Sequence, residues 1–151
     1  MEPVLGVIFA PALDRMFHGY KGGGSEEKSP WREVPIQVRQ LPVSGSRAVA
    51  SLSHRNKETN RWLEAHQIRD TASIGSSLKF CLVACGEADV YPRFGPTMEW
   101  DTAAGDAILR AAGGLTTNPD GSVFRYGKAG YRNSSFIAYG QADPWETKAF
   151  V

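Results

Sequence analysis

The stretch Trp100-Asp101-Thr102-Ala103-Ala104-Gly105-Asp106-Ala107-Ile108-Leu109-Arg110-Ala111-Ala112-Gly113-Gly114 sets a carboxylate at the start of an apolar helix. Asp101 stands where an N-cap belongs, Ile108, Leu109 and Ala112 form the apolar stripe, and Gly113-Gly114 ends the helix. Gly105 in the first turns costs about 1 kcal/mol against alanine, so something is expected to approach the backbone closely there. The free N–H groups and positive dipole end of such a helix suit a phosphate. An aspartate at that place either ligates a hard cation through oxygen or serves only as a cap.

Upstream, Ser76 and Lys79 are three apart, which on a helix puts a hydroxyl and an ammonium on one face where both can donate to one anion; the alternative for Lys79 is a solvated helix lysine. Arg93 ends a short strand and has Glu87 and Glu99 within reach as surface partners. Ser53-His54-Arg55-Asn56 follows a strand end, where α/β folds place ligand groups, although His54 can equally satisfy the loop before the next helix. Cys81 and Cys85, one helical turn apart among Leu82, Val83 and Ala84, read as small buried residues and not as a metal pair.

The elements that must position these groups alternate. Val4 to Ala10, ended by Pro11, and Met16 to Tyr20 predict a β-hairpin. Gly22-Gly23-Gly24 and Ser25 to Pro30 predict a loop, since the glycine triplet lacks the Lys-Ser/Thr and helix of a phosphate loop. Val34 to Leu41 reads as an edge strand, and Pro42 to Ser46 as the connection between two parts, residues 1–45 and 46–151. Beyond it come a strand Arg47 to Ser53, a helix Lys57 to His66 with Trp62 and Leu63 inward, and a strand Ile68 to Ile74. A helix Ser77 to Cys85, a strand Asp89 to Arg93, the Asp101 helix and strands joined by turns from Leu115 to Tyr139 complete an α/β layered sheet.

A chain of 151 residues has the length of one ordinary domain, and 17 basic against 16 acidic side chains give no global field for nucleic acid or an anionic membrane. Any phosphate binding must be local. Two cysteines close in sequence make no disulfide framework, the start lacks a basic n-region, and no apolar run reaches membrane-spanning length, so a soluble, cytoplasmic protein is expected.

The run Trp-Asp-x-Ala-Ala-Gly, closing in Gly-Gly after an apolar helix, resembles the second signature of the inositol monophosphatase superfamily. The resemblance implies a Mg²⁺-dependent phosphatase in which Asp101 is a metal ligand near the scissile phosphate. Gly75 to Arg93 resembles the 3′(2′),5′-bisphosphate nucleotidase branch of sulfur assimilation. That likeness implies that Ser76 and Lys79 contact the non-scissile phosphate or ribose, Arg93 lines the nucleotide pocket, Gly75 permits close approach, and His54 and Arg55 lie near the adenosine bisphosphate. The implied fold is the C-terminal portion of a layered phosphatase, a mixed sheet flanked by helices and preceded by a hairpin of the N-terminal lobe. The implied reaction removes the 3′-phosphate of adenosine 3′,5′-bisphosphate or its sulfated form. Inositol phosphate is the alternative substrate, and a non-catalytic remnant binding nucleotide or a partner chain is the alternative role.

Superfamily members carry a Gly-Glu-Glu run and an Asp-Pro-x-Asp-Gly-Thr run before this segment, and neither occurs here. Asn118-Pro119-Asp120-Gly121 reads as a turn, and Ser25-Glu26-Glu27 lacks the preceding glycine. The chain is therefore expected to be a fragment: inactive by itself, holding Mg²⁺ weakly through Asp101, and presenting an open sheet edge and a bare apolar face around Val4 to Tyr20 unless a missing half or partner chain covers them.

Overall fold

In the computed structural model, which describes residues 1–51, 53 and 55–141, the first apolar runs form the expected hairpin. Strand β1 (Leu5–Ala10) pairs antiparallel with β2 (Arg15–Tyr20), with Val7 opposite His18. The segment expected to be a loop is a strand from Gly24 onward. This strand, β3 (Gly24–Ser29), lies between β2 and β4 (Arg32–Ile36) in an antiparallel sheet of order β1-β2-β3-β4. Its polar residues are tolerated because the inward ones find partners. The Ser25 hydroxyl donates to the Ile108 carbonyl at 2.7 Å, and Arg15 holds Glu27 with two hydrogen bonds of 2.6 and 3.0 Å. Pro35 sits in edge strand β4, where the ladder does not need its missing N–H.

The rest of the described chain alternates as expected, with one strand, β8, that was not expected: β5 (Arg47–Ser51), α1 (Lys57–Ala65), β6 (Asp70–Ile74), α2 (Leu78–Ala84), β7 (Val90–Arg93), β8 (Thr97–Met98), α3 (Glu99–Ala111), β9 (Leu115–Thr117), β10 (Arg132–Asn133) and β11 (Phe136–Tyr139). Five of these make a mixed sheet of order β6-β5-β7-β11-β9, in which β5 runs parallel to β6 and β7 while β11 runs antiparallel to β7 and β9. Strand periodicity sorts its side chains into two layers. Val49, Tyr91, Phe136 and Ala138 join α2 and α3 in a core with Phe80, Ile108, Leu109 and Phe124, whereas Ala48, Val90, Ile137 and Tyr139 face Leu63 of α1. Phe17 of the first sheet belongs to the same core as α2 and α3, so those two helices lie between the sheets.

Close packing in that middle layer depends on two glycines. A Cβ on Gly6 of β1 would lie 2.0 Å from the Ala104 carbonyl oxygen, and one on Gly105 would lie 2.6 Å from Phe80 Cδ2. The group that approaches the Gly105 backbone is thus the Phe80 ring, not a ligand. On the other side of β1 the expected open edge and apolar face are present: β1 pairs with β2 alone among the described residues, and Leu5, Val7 and Phe9 are each more than half exposed. Among the described residues no helix is long and apolar enough to cross a membrane.

Candidate active site

Strands β5, β6 and β7 are parallel, so their carboxyl ends open on the same side, where α/β sheets receive ligands. Ser51 and Ser53, the Gly75-Ser76-Ser77 loop, Lys79, Tyr91, Arg93, Pro96, Thr97 and the α3 start from Trp100 to Thr102 line one cavity of about 480 Å³ there. Four of the sequence-predicted residues, Ser76, Lys79, Arg93 and Asp101, therefore share it. Arg55 does not: its guanidinium donates to Asn60 Oδ1 at 2.6 Å and Thr71 Oγ1 at 3.3 Å, and it is absent from the lining. His54 lies outside the described residues.

Asp101 is displaced from its expected cap position. Helix α3 begins at Glu99, so Asp101 is its third residue, and its Oδ2 accepts from the backbone N–H of Met98 at 2.8 Å. One carboxylate oxygen thereby fixes the helix start. The carboxylate remains exposed beside the cavity.

Ser76 is not on the α2 face shared with Lys79. It precedes the helix in left-handed backbone conformation, φ 57°, which suits a tight loop and not a first helical turn. The two residues meet in another way. The Lys79 ammonium donates to the Ser76 carbonyl at 2.6 Å and the Ile74 carbonyl at 3.1 Å, and it stands 5.0 Å from the centre of the Tyr91 ring. Lys79 is buried, and that burial pulls its ammonium down to about 8, with the Arg93 charge acting in the same direction. An ammonium with three donors and two carbonyl partners has one donor left.

Neither glutamate weighed as a partner for Arg93 takes that role: Glu87 pairs with Arg15 and Glu99 with Lys128. Arg93 instead donates to the Pro96 carbonyl at 3.3 Å, while its buried Nε has no partner among the described residues. An orphaned guanidinium donor and a half-satisfied ammonium in one cavity are what a bound oxyanion would complete. A Cβ on Gly75 would meet nothing within 4 Å, so the rim is open for close approach.

Sequence reasoning missed the network that holds the α3 start. Glu99 accepts from the backbone N–H groups of Gly127 and Lys128 and from the Lys128 ammonium, each at 3.0 Å. Those donors, the Lys128 N–H foremost, bring the Glu99 carboxyl down to about 2. Lys128 also donates to Arg125 O and, at 2.9 Å, to Asn133 Oδ1, and Asn133 Nδ2 reaches Thr97 and Thr102, both at 3.1 Å. The bonds that tie Thr97, Glu99 and Thr102 to Gly127, Lys128 and Asn133 span 28 to 36 residues, so no local spacing announces them.

Among the described residues Asp101 is the one carboxylate lining the cavity. That fits one corner of a Mg²⁺ sphere whose remaining ligands are waters and phosphate oxygens, and it does not make an all-protein metal cage.

A cavity at the carboxyl ends of parallel strands, with two cationic side chains and a carboxylate on a helix start, gives this α/β protein the chemistry to hold an anion. The profile of the inositol monophosphatase family matches residues 1–150, and the chain belongs to that family. It is 44% identical over 128 residues to the 3'(2'),5'-bisphosphate nucleotidase CysQ of Salmonella typhimurium, covering 83% of this chain and 50% of that protein. The crystal structure of CysQ from Bacteroides thetaiotaomicron, a bacterial member of the family, superposes with a TM-score of 0.84 at 35% identity, over 94% of this chain and 59% of the other. An inositol monophosphatase from Zymomonas mobilis shares the fold with a TM-score of 0.77 at 21% identity, over 97% of this chain and 56% of that one. The chain thus spans between 50% and 59% of the length of these three relatives.

Proposed function

We propose that this chain forms the nucleotide-binding side of a cytoplasmic 3′(2′),5′-bisphosphate nucleotidase, one that converts adenosine 3′,5′-bisphosphate to AMP and phosphate in sulfur assimilation. The observation that carries the reading is the pairing in one cavity of the buried Lys79 ammonium with the unpartnered Arg93 Nε. Two cations with spare donors favour a ligand of high negative charge, and a nucleotide carrying two phosphates offers more of it than an inositol monophosphate. Lys79 and Arg93 hold the phosphate that is not cleaved, and Ser76 shapes the rim through the carbonyl that Lys79 clamps. Asp101 faces the scissile phosphate as one Mg²⁺ ligand. When bound, Mg²⁺ supplies Lewis acidity toward the phosphoryl oxygens and lowers the pKa of an attacking water.

One carboxylate supports binding better than turnover. The chain by itself is therefore a nucleotide binder whose hydrolytic activity requires further acidic groups from a second chain or a longer one. The experiment measures phosphate release from adenosine 3′,5′-bisphosphate with Mg²⁺, alongside equilibrium binding of that nucleotide and of inositol 1-phosphate. The reading expects nucleotide binding tighter than inositol phosphate binding and release no faster than the Asp101→Asn background. Preference for inositol phosphate would overturn the substrate, and release abolished by Asp101→Asn would overturn the need for further carboxylates.

A further inference from the structure

We propose that His18, Glu26 and Glu33 form a second, independent metal site, one for a zinc-type divalent transition ion, on the outer face of the four-stranded sheet. The residues come from the neighbouring strands β2, β3 and β4. Register decides that they share a face: His18 is paired with Glu26, and Glu33 with Lys28, two residues along β3 from Glu26. The opposite face of this sheet carries Phe17 and Ser25 into the core against α3, so the cluster is on the side away from the helices and from the Asp101 cavity.

The geometry brings an imidazole and two carboxylates to one point. One ligand atom of each residue lies within 4.8 Å of the other two, and His18 Nε2 is 3.5 Å from Glu26 Oε2 and 3.6 Å from Glu33 Oε1. A tetrahedral ion with bonds of about 2.0 to 2.1 Å sets its ligand atoms roughly 3.4 Å apart, so the imidazole already stands at coordination distance from both carboxylates. The second Glu33 oxygen faces the Lys28 ammonium at 3.5 Å. That contact orients the carboxylate and leaves Oε1 to the imidazole, as outer hydrogen-bond partners orient the ligands of metal centres. Strand pairing fixes the three backbones, so little ordering remains for the ion to impose.

Ligand chemistry names the class of ion. Mg²⁺ and Ca²⁺ prefer oxygen throughout, whereas one imidazole with two carboxylates suits Zn²⁺, Co²⁺ or Ni²⁺. Three protein ligands leave a fourth tetrahedral position for water, on the solvent side. An ion held by three strands binds the folded chain and not the unfolded one, so occupancy stabilises the sheet.

The test is a titration of the full chain with Co²⁺, read by the intense visible absorption of a tetrahedral Co²⁺ centre, together with melting in Zn²⁺. The proposal expects one equivalent bound without thiolate charge transfer and a higher melting temperature in Zn²⁺. His18→Ala at a half-buried position and Glu33→Gln at an exposed one, made separately so that one folding failure does not end the test, are each expected to weaken binding at least tenfold. Asp101→Asn is expected to leave this centre intact, which separates its failure from any failure at the nucleotide cavity. Absence of the tetrahedral absorption, a thiolate signature from Cys81 or Cys85, or equal affinity in wild type and both variants would overturn it.

Discussion

Lys79 donates to the carbonyl of Ser76 at 2.6 Å, so the cation that faces the cavity is also the clamp on the loop forming its rim. Ser76 holds φ at 57°, a left-handed backbone that a non-glycine residue keeps only when its surroundings enforce it. Lys79→Met keeps the unbranched stem up to the ε position and removes both the clamp and the charge. Loss of a charge-assisted hydrogen bond predicts nucleotide affinity weaker on the order of 10- to 100-fold, measured by calorimetry, with the helical circular dichroism retained.

The same lysine gives binding a pH dependence. Its folded pKa is lowered to about 8, so it is cationic below that value and neutral above it. Affinity for a phosphate dianion should fall as pH rises through 8, and this step should vanish in Lys79→Met. The stability sign is opposite: between about 8 and about 10.4 the unfolded chain holds the extra proton, so Lys79 makes folding more favourable as pH rises across that window.

Asp101→Asn separates capping from metal binding. The asparagine carbonyl can still accept from Met98 N–H, so the melting change should correspond to less than about 1 kcal/mol. Enhancement of nucleotide binding by Mg²⁺ should disappear, because the amide is a poorer ligand for a hard cation.

Glu99 is the pH-sensitive brace of the α3 start. Its folded pKa is depressed to about 2 by the Lys128 and Gly127 donors, so its stabilisation is fully present above the ordinary glutamate value of about 4.3. It is lost as pH falls toward 2. Acid melting curves of wild type and Glu99→Gln should therefore converge across that window. Asn133→Ala, which removes the buried amide that joins Lys128 to Thr97 and Thr102, should cost about 1 to 3 kcal/mol in chemical denaturation.

Gly105→Ala tests whether this glycine serves packing. The added methyl would lie 2.6 Å from Phe80 Cδ2 in the core between the sheets, and overpacking of that kind predicts a loss of about 1 to 3 kcal/mol measured by urea unfolding.

Much of the fold was legible because periodicity survives in the sequence wherever an element buries one face. The first hairpin and α3 show it, whereas α2, β7 and β11, buried on nearly all sides, were legible as short apolar runs instead. Strand β3 was illegible because Gly24-Ser25-Glu26-Glu27-Lys28-Ser29 has no apolar face, and only tertiary partners, Arg15 for Glu27 and Ile108 for Ser25, make its inward side burial-compatible. At the site, a helix-start aspartate and a Ser-Lys pair could be read from spacing, yet the α3 boundary fell two residues earlier and Ser76 proved to be loop. The unpartnered Arg93 Nε and the Glu99–Lys128–Asn133 brace depend on distant segments meeting, which no local pattern encodes.

The most direct measurement is calorimetry of adenosine 3′,5′-bisphosphate with the wild-type chain and with Arg93→Met, which removes the unpartnered donor. The account predicts saturable one-to-one binding in the wild type and affinity weaker by at least tenfold in the variant. Equal affinity in the two proteins, or no saturable binding in the wild type, would contradict it.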